Sequence, residues 1–315
     1  MKKVLIALSC MLLTFSIYAQ TEEELKQEIA PKKAEIAKLQ GEVDALKSQI
    51  DALPGWKYGA FGTVGGSISS FNNWFTQGNP NVSSGNIGIT VNAFANKKDP
   101  KYFWRNALSL NLGWVKFDDE DDPNDEEGFR EATDVFNITS LYGYKLTETI
   151  AISTLGEYRT TILDNFNDPG YLDLGVGATW TPIDNLVVVV HPLNYNFVFS
   201  KNDAVYESSL GAKIVADYTR QIGAVSFKSN LSVFQSYKSS DLSNFTWINS
   251  FGYTLWKNIG VGFEFGLRGN RQETVNFVND NLLAVDPSAT IFELDDDAVK
   301  NELQTYWLLG LNYKF

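Results

Sequence analysis

The chain is poor in sulfur and in histidine, and each scarcity removes a class of chemistry. Of its 315 residues one is cysteine (Cys10), one is histidine (His191) and two are methionine. Cys10 sits in an apolar N-terminal run, so a chain trimmed after that run carries no thiol. Disulfide frameworks and cysteine-bound metals are then excluded, even in an oxidising compartment. No G-x-S-x-G turn is present, and a lone histidine followed by proline (Val190-His191-Pro192) suits a strand bulge better than a general base. No catalytic residue, cofactor or metal site is expected. After the first twenty residues no stretch approaches the roughly 18 consecutive apolar residues of a membrane helix. A basic surplus is missing too: the formal charge is -12, which disfavours nucleic acid as a partner.

What is present divides the chain in three. Lys2 and Lys3 precede an apolar stretch from Val4 to Phe15 that ends near Ala19. That order describes a secretory signal peptide over 1–19, in preference to a membrane anchor or a lipidated Cys10. Residues 20–55 then read as a short coiled-coil stalk. Leu25, Ile29, Ile36, Leu39, Val43, Leu46, Ile50 and Leu53 recur in steps of four and three, with Lys32 in the one missed place. The register puts Ile29, Ile36, Val43 and Ile50 at a, and Leu25, Leu39, Leu46 and Leu53 at d. Pro31 predicts that the continuous helix begins there, and Gly41 costs about 1 kcal/mol against alanine. One apolar stripe on such a helix needs a partner: a second copy, the barrel mouth or another protein. β-branched a with leucine d favours a dimer, with a trimer or a merely solvated linker as alternatives.

The third part, 56–315, alternates with period two. Leu172, Leu174, Val176, Ala178 and Trp180 interleave with Asp173, Gly175, Gly177 and Thr179. The end of the chain sets Trp307, Leu309, Leu311, Tyr313 and Phe315 against Leu308, Gly310, Asn312 and Lys314. With 21 Phe, 14 Tyr and 8 Trp the composition suits strands. Twelve segments are predicted: 57–71, 83–96, 101–118, 129–145, 149–163, 171–182, 186–200, 207–220, 224–238, 243–257, 259–272 and 301–315. Short turns alternate with longer polar connections, the longest being 273–300. This is the pattern of an all-β, antiparallel transmembrane β-barrel of about twelve strands in the outer membrane, with both termini periplasmic. A soluble sandwich would alternate as well, but the polar face here is rich in glycine and serine, as crowding inside a cylinder demands. Trp104, Trp114, Trp180, Trp247 and Trp256 lie near segment ends, where a membrane interface would hold them. Outer-membrane lipid is the expected surrounding, and Phe315 resembles the C-terminal signal read by barrel-assembly machinery.

Strand parity sends Arg105, Lys213, Asp217, Lys228, Glu264, Arg268 and Lys314 inward, with Glu157 and Arg159 as a second rank. Both signs occur. Paired, they would narrow the barrel; separated, they would line a selective pore. The acidic runs Asp118–Glu127 and Glu293–Asp297 lack the ordered spacing of a calcium loop and read as solvated loops.

Ser70-Phe71-Asn72-Asn73-Trp74, Ser84-Gly85-Asn86, Phe94-Ala95-Asn96, Tyr142-Gly143-Tyr144-Lys145 and Leu174-Gly175-Val176-Gly177 resemble a family of uncharacterised outer-membrane barrels in Bacteroidota, domain of unknown function 3078. His191-Pro192-Leu193 departs from the commoner Ser-Pro opening. The resemblance implies fold and location and no activity. The expectation is therefore a porin-like passive channel or structural barrel, with a possible homo-oligomer formed through its stalk. The alternatives are a non-conducting anchor whose stalk docks a periplasmic partner or the cell wall, and more remotely a barrel hydrolase.

Overall fold

The computed structural model describes residues 22–73, 83–115, 130–163, 165–183, 185–256 and 258–314. The signal segment, the acidic run 118–127 and Phe315 therefore lie outside the described residues. Two units are distinguished, one ending at Leu53 and one beginning at Pro54.

The first unit is helix α1, Glu22–Ala52. It runs through Pro31, so the helix does not begin there as the sequence suggests. Proline removes a single N–H, and on a helix exposed along its length the carbonyl left without a partner meets water. All eight seam residues are exposed, Ile36 to 66%. Alone, α1 buries none of its apolar stripe.

The second unit is a closed ring of twelve antiparallel strands. They are β1 (Gly55–Asn72), β2 (Ser83–Lys98), β3 (Tyr102–Val115), β4 (Arg130–Lys145), β5 (Ile150–Thr160), β6 (Gly170–Ile183), β7 (Leu186–Phe199), β8 (Ser209–Ile222), β9 (Val225–Ser236), β10 (Asn244–Trp256), β11 (Ile259–Asn270) and β12 (Gln304–Lys314). Each pairs with its neighbours in sequence, and β12 closes on β1 with Thr63 opposite Lys314 and Asn72 opposite Thr305. At 11 to 18 residues every strand is long enough to cross a bilayer, which takes about 9–11. Closure matters because a free strand edge in hydrocarbon would leave backbone groups unsatisfied.

Burial is inverted relative to a soluble protein. Leu174 is 47% exposed while its neighbour Asp173 is 0% exposed. The same alternation exposes Ile150 and Ile152 and buries Ala151, Ser153, Leu155 and Glu157 on β5. The apolar face points out and the polar face in, as a lipid-facing barrel requires. Trp56, Trp104, Trp180, Trp247 and Trp256 are among the exposed aromatics. No described helix is long and apolar enough to cross a membrane.

The connection 273–300 is not the plain loop its polarity suggests. Strand β11 stops at Asn270, and a second helix, α2, occupies Arg271–Val285. Its asparagine-rich sequence has low helix propensity, and tertiary contact supplies what propensity withholds. Val275, fully buried, packs with Val205 and Val299 and is flanked by Val278, Phe292 and Leu294. A separate apolar cluster inside the ring joins Phe103, Leu141, Ala151, Leu155 and Val189.

Candidate functional site

The barrel interior holds the only dense chemistry among the described residues, and it begins with one ammonium group. Lys213 on β8 is fully buried, with Nζ 2.7 Å from Asp173 on β6 and 3.2 Å from Glu157 on β5. Arg159 on β5 donates to the same Asp173 oxygen at 3.1 Å and stands 3.8 Å from Glu157. Asn194 and Asn196 on β7 donate to the other Asp173 oxygen at 2.8 and 3.0 Å, and Asn137 on β4 donates to Glu157 at 2.9 Å. Two cations and two carboxylates thus neutralise one another, with amides on the remaining lone pairs. A charge cluster withdrawn from water needs both conditions.

His191 is reached through glycine. It crosses β6 to place Nε2 2.9 Å from Ser153 on β5, and Thr179 donates to that serine at 2.8 Å. A Cβ on Gly177 would fall 2.7 Å from His191 Cα, and one on Gly175 would fall 2.9 Å from His191 Nδ1. Only bare backbone lets the ring lie flat across that strand. The strand bulges between His191 and Asn194, as Pro192 suggests, so both side chains face inward. Among the described residues His191 Nδ1 has no hydrogen-bond partner, and both Ser153 and His191 are buried, so the pair packs the interior.

Helix α2 caps the long-loop end. Glu273 accepts from Tyr171 on β6 at 3.1 Å and from Arg268 Nε on β11 at 3.0 Å. Those strands stand five places apart in a ring of twelve, so one buried carboxylate spans the mouth. Arg271 stitches the return segment beneath, donating to the carbonyls of Val299 at 2.7 Å, Asp296 at 2.8 Å and Leu294. Neighbouring loops are clasped as well. Gln272 donates to the Glu207 carbonyl at 3.1 Å, and Asn202 to Asn276 at 2.7 Å. In the loops, Lys201 donates its backbone N–H and its ammonium to Asp168 and holds that carboxyl below its usual range. Burial, with Glu273 nearby, pushes the Tyr206 phenol up.

The remaining inward candidates are spread round the ring. Glu264 accepts from Ser250 and Tyr306, each at 2.6 Å, and Asp217 accepts from Asn230. Arg105 stacks on Phe103 with its guanidinium carbon 5.2 Å from the ring centre. Arg105 and Lys228 are exposed and, among the described residues, have no carboxylate within ion-pair distance. The backbone of Lys314 opposes Thr63, and its side chain lies outside the description. Asp173, Glu273 and Arg271 were not among the candidates. Alternation already places Asp173 on the polar face beside Leu172 and Leu174. Glu273 and Arg271 carry no such signal, because their helix is not expected.

A closed barrel with an apolar exterior and a charged, hydrogen-bonded interior is an outer-membrane β-barrel. Residues 67–166 match the model of a family described as a protein of unknown function (DUF3078). No curated protein matches the chain by sequence. Among solved structures the chain is similar to the NanC porin, at 9% identity and a TM-score of 0.40, over 80% of this chain and 100% of that one. It is similar to the COG4313 outer membrane channel from Pseudomonas putida F1 at 11% identity and a TM-score of 0.40, over 84% and 97%. The outer membrane channel DcaP of Acinetobacter baumannii follows at 8% identity and a TM-score of 0.37, over 83% and 98%. Likeness at this level leaves function to be argued from the interior itself.

Proposed function

We propose that the chain forms a porin-like passive channel in the outer membrane, narrowed by α2 at its long-loop mouth, with α1 as an oligomerising stalk. The observation that carries this reading is the accessibility of the inner wall near the short turns. Arg105 and Ala107 on β3 and Lys228 on β9 stand on the inward face and are exposed, whereas the inward Lys213 and Asp173 deeper in the ring are sealed. Water that reaches the first group defines a vestibule, and the small inward side chains beside it leave room for a path. Inward residues of β1 and β2 include Gly65, Gly88 and Thr90, which fit a lumen kept free of bulk. On this reading both termini are periplasmic, and Phe315 is the feature that assembly machinery reads.

Planar-bilayer recording of the purified protein tests it. A small steady conductance is expected from the native chain, rising several-fold when Glu273→Ala releases α2 from Tyr171 and Arg268. Silence from the native chain and from a variant lacking 274–300, with both folded, would leave the barrel as an anchor.

A further inference from the structure

We infer that α1 pairs with a second copy of itself, parallel and in register, so that two barrels in one membrane are joined by a two-stranded coiled coil. The inference rests on the stalk half of the reading above and adds the partner, its number and its direction. The apolar seam is exposed in the single chain and so is open to a partner. The flanking charges say which. In the register fixed by Ile29, Ile36, Val43 and Ile50 at a, the e positions are Lys26, Lys33, Gln40 and Lys47. The g positions are Glu28, Glu35, Glu42 and Gln49. No acid occupies an e position and no base a g position.

That segregation has opposite consequences for the two directions of pairing. In a parallel pair each g residue faces the e residue of the next heptad on the other helix. Glu28 then meets Lys33, and Glu42 meets Lys47, once on each side of the two-fold axis. In an antiparallel pair e faces e and g faces g, which sets lysine against lysine and glutamate against glutamate. Membrane insertion points the same way. Copies of one barrel inserted in one orientation carry their N-terminal helices on the same side. β-Branched a residues with leucine at d specify two strands rather than three. Lys32, the one cation in the seam, meets its own copy in this arrangement and weakens that layer.

Native mass spectrometry or light scattering of the full-length protein in detergent reads the outcome. The native chain should run as two copies. Glu28→Lys with Glu42→Lys turns both oppositely charged e–g contacts repulsive and should give single chains. Adding Lys33→Glu and Lys47→Glu restores opposite charges to both contacts of the parallel pair and should bring the dimer back. Lys32→Leu should lower the dissociation constant at least tenfold. A native chain that runs as one or three copies overturns the inference, and so does a dimer indifferent to the charge swaps. Conductance of the single-chain variant separates the two readings. If it persists, the channel stands whatever the stalk does; if it never existed in the dimer, the channel falls and the pairing stands.

Discussion

The two sides of the barrel interior are built on different rules. From β4 to β8 the inner wall is thick: Leu141, Leu155, Glu157, Arg159, Asp173, His191 and Lys213 fill the space, and β6 contributes glycines so that its neighbours can lean across it. From β9 round to β2 the inner wall carries more serine, glycine, threonine and asparagine, with Phe234, Ile248, Tyr306 and Leu308 as its larger side chains and charges at intervals. The first side is held by ion pairs and amides that satisfy one another away from water. On the second, side-chain hydrogen bonds such as those from Ser250 and Tyr306 to Glu264 link neighbouring strands. The contrast teaches that inward polarity alone does not make a lumen, because polar groups that satisfy one another exclude the water a path requires.

Substitutions placed on each side should break or sharpen this difference. The largest effect is expected at Asp173. Its replacement by alanine leaves Lys213 and Arg159 with Glu157 as their one remaining carboxylate and should cost about 3–5 kcal/mol, the usual penalty for breaking a buried ion pair. Glu264→Gln on the second side keeps the hydrogen bonds from Ser250 and Tyr306 within reach and should cost no more than about 1 kcal/mol. Urea unfolding of the two variants in detergent compares them. Next comes the glycine pair Gly177 and Gly252. A methyl on Gly177 would fall 2.2 Å from the Val190 carbonyl oxygen and 2.7 Å from His191 Cα, whereas one on Gly252 meets only the Ser226 hydroxyl, which can rotate. Gly177→Ala should therefore lose about 1–3 kcal/mol by overpacking, and Gly252→Ala should fold normally. The smallest effect on stability belongs to Arg105→Gln with Lys228→Gln, within about 0.5 kcal/mol for accessible groups. Its signature lies in current: any preference of the channel for anions at low salt should fall, since both are exposed inward cations.

Much of this architecture was legible in the sequence. Alternation such as Leu172-Asp173-Leu174 separates the faces because the side-chain period of a strand is two, and short and long connections follow from the hairpin plan. The inward parity of Lys213, Asp217, Glu264 and Arg268 could be read in the same way. Which charges meet could not. Lys213 finds Asp173 two strands away, across the bulge at His191, and that encounter depends on register and stagger, which parity leaves open. Helix α2 was hidden for a different reason. Asn276, Asn279 and Asn281 read as loop, and only burial against Val205 and Phe292 makes a helix of them. At Pro31 the local rule for helix breaking was overruled by a chain that continues helical on both sides.

The join between β12 and β1 has a consequence for how the molecule comes into being. Of the twelve strands, the one that completes the ring is the last in chain order, and its partner is the first. A chain interrupted anywhere before Gln304 would offer two unpaired edges to the hydrocarbon, where each unmet backbone group costs several kcal/mol. Unfinished copies are thus disfavoured in the bilayer by their own backbone. Closure gives the cell a check on length as well as a wall.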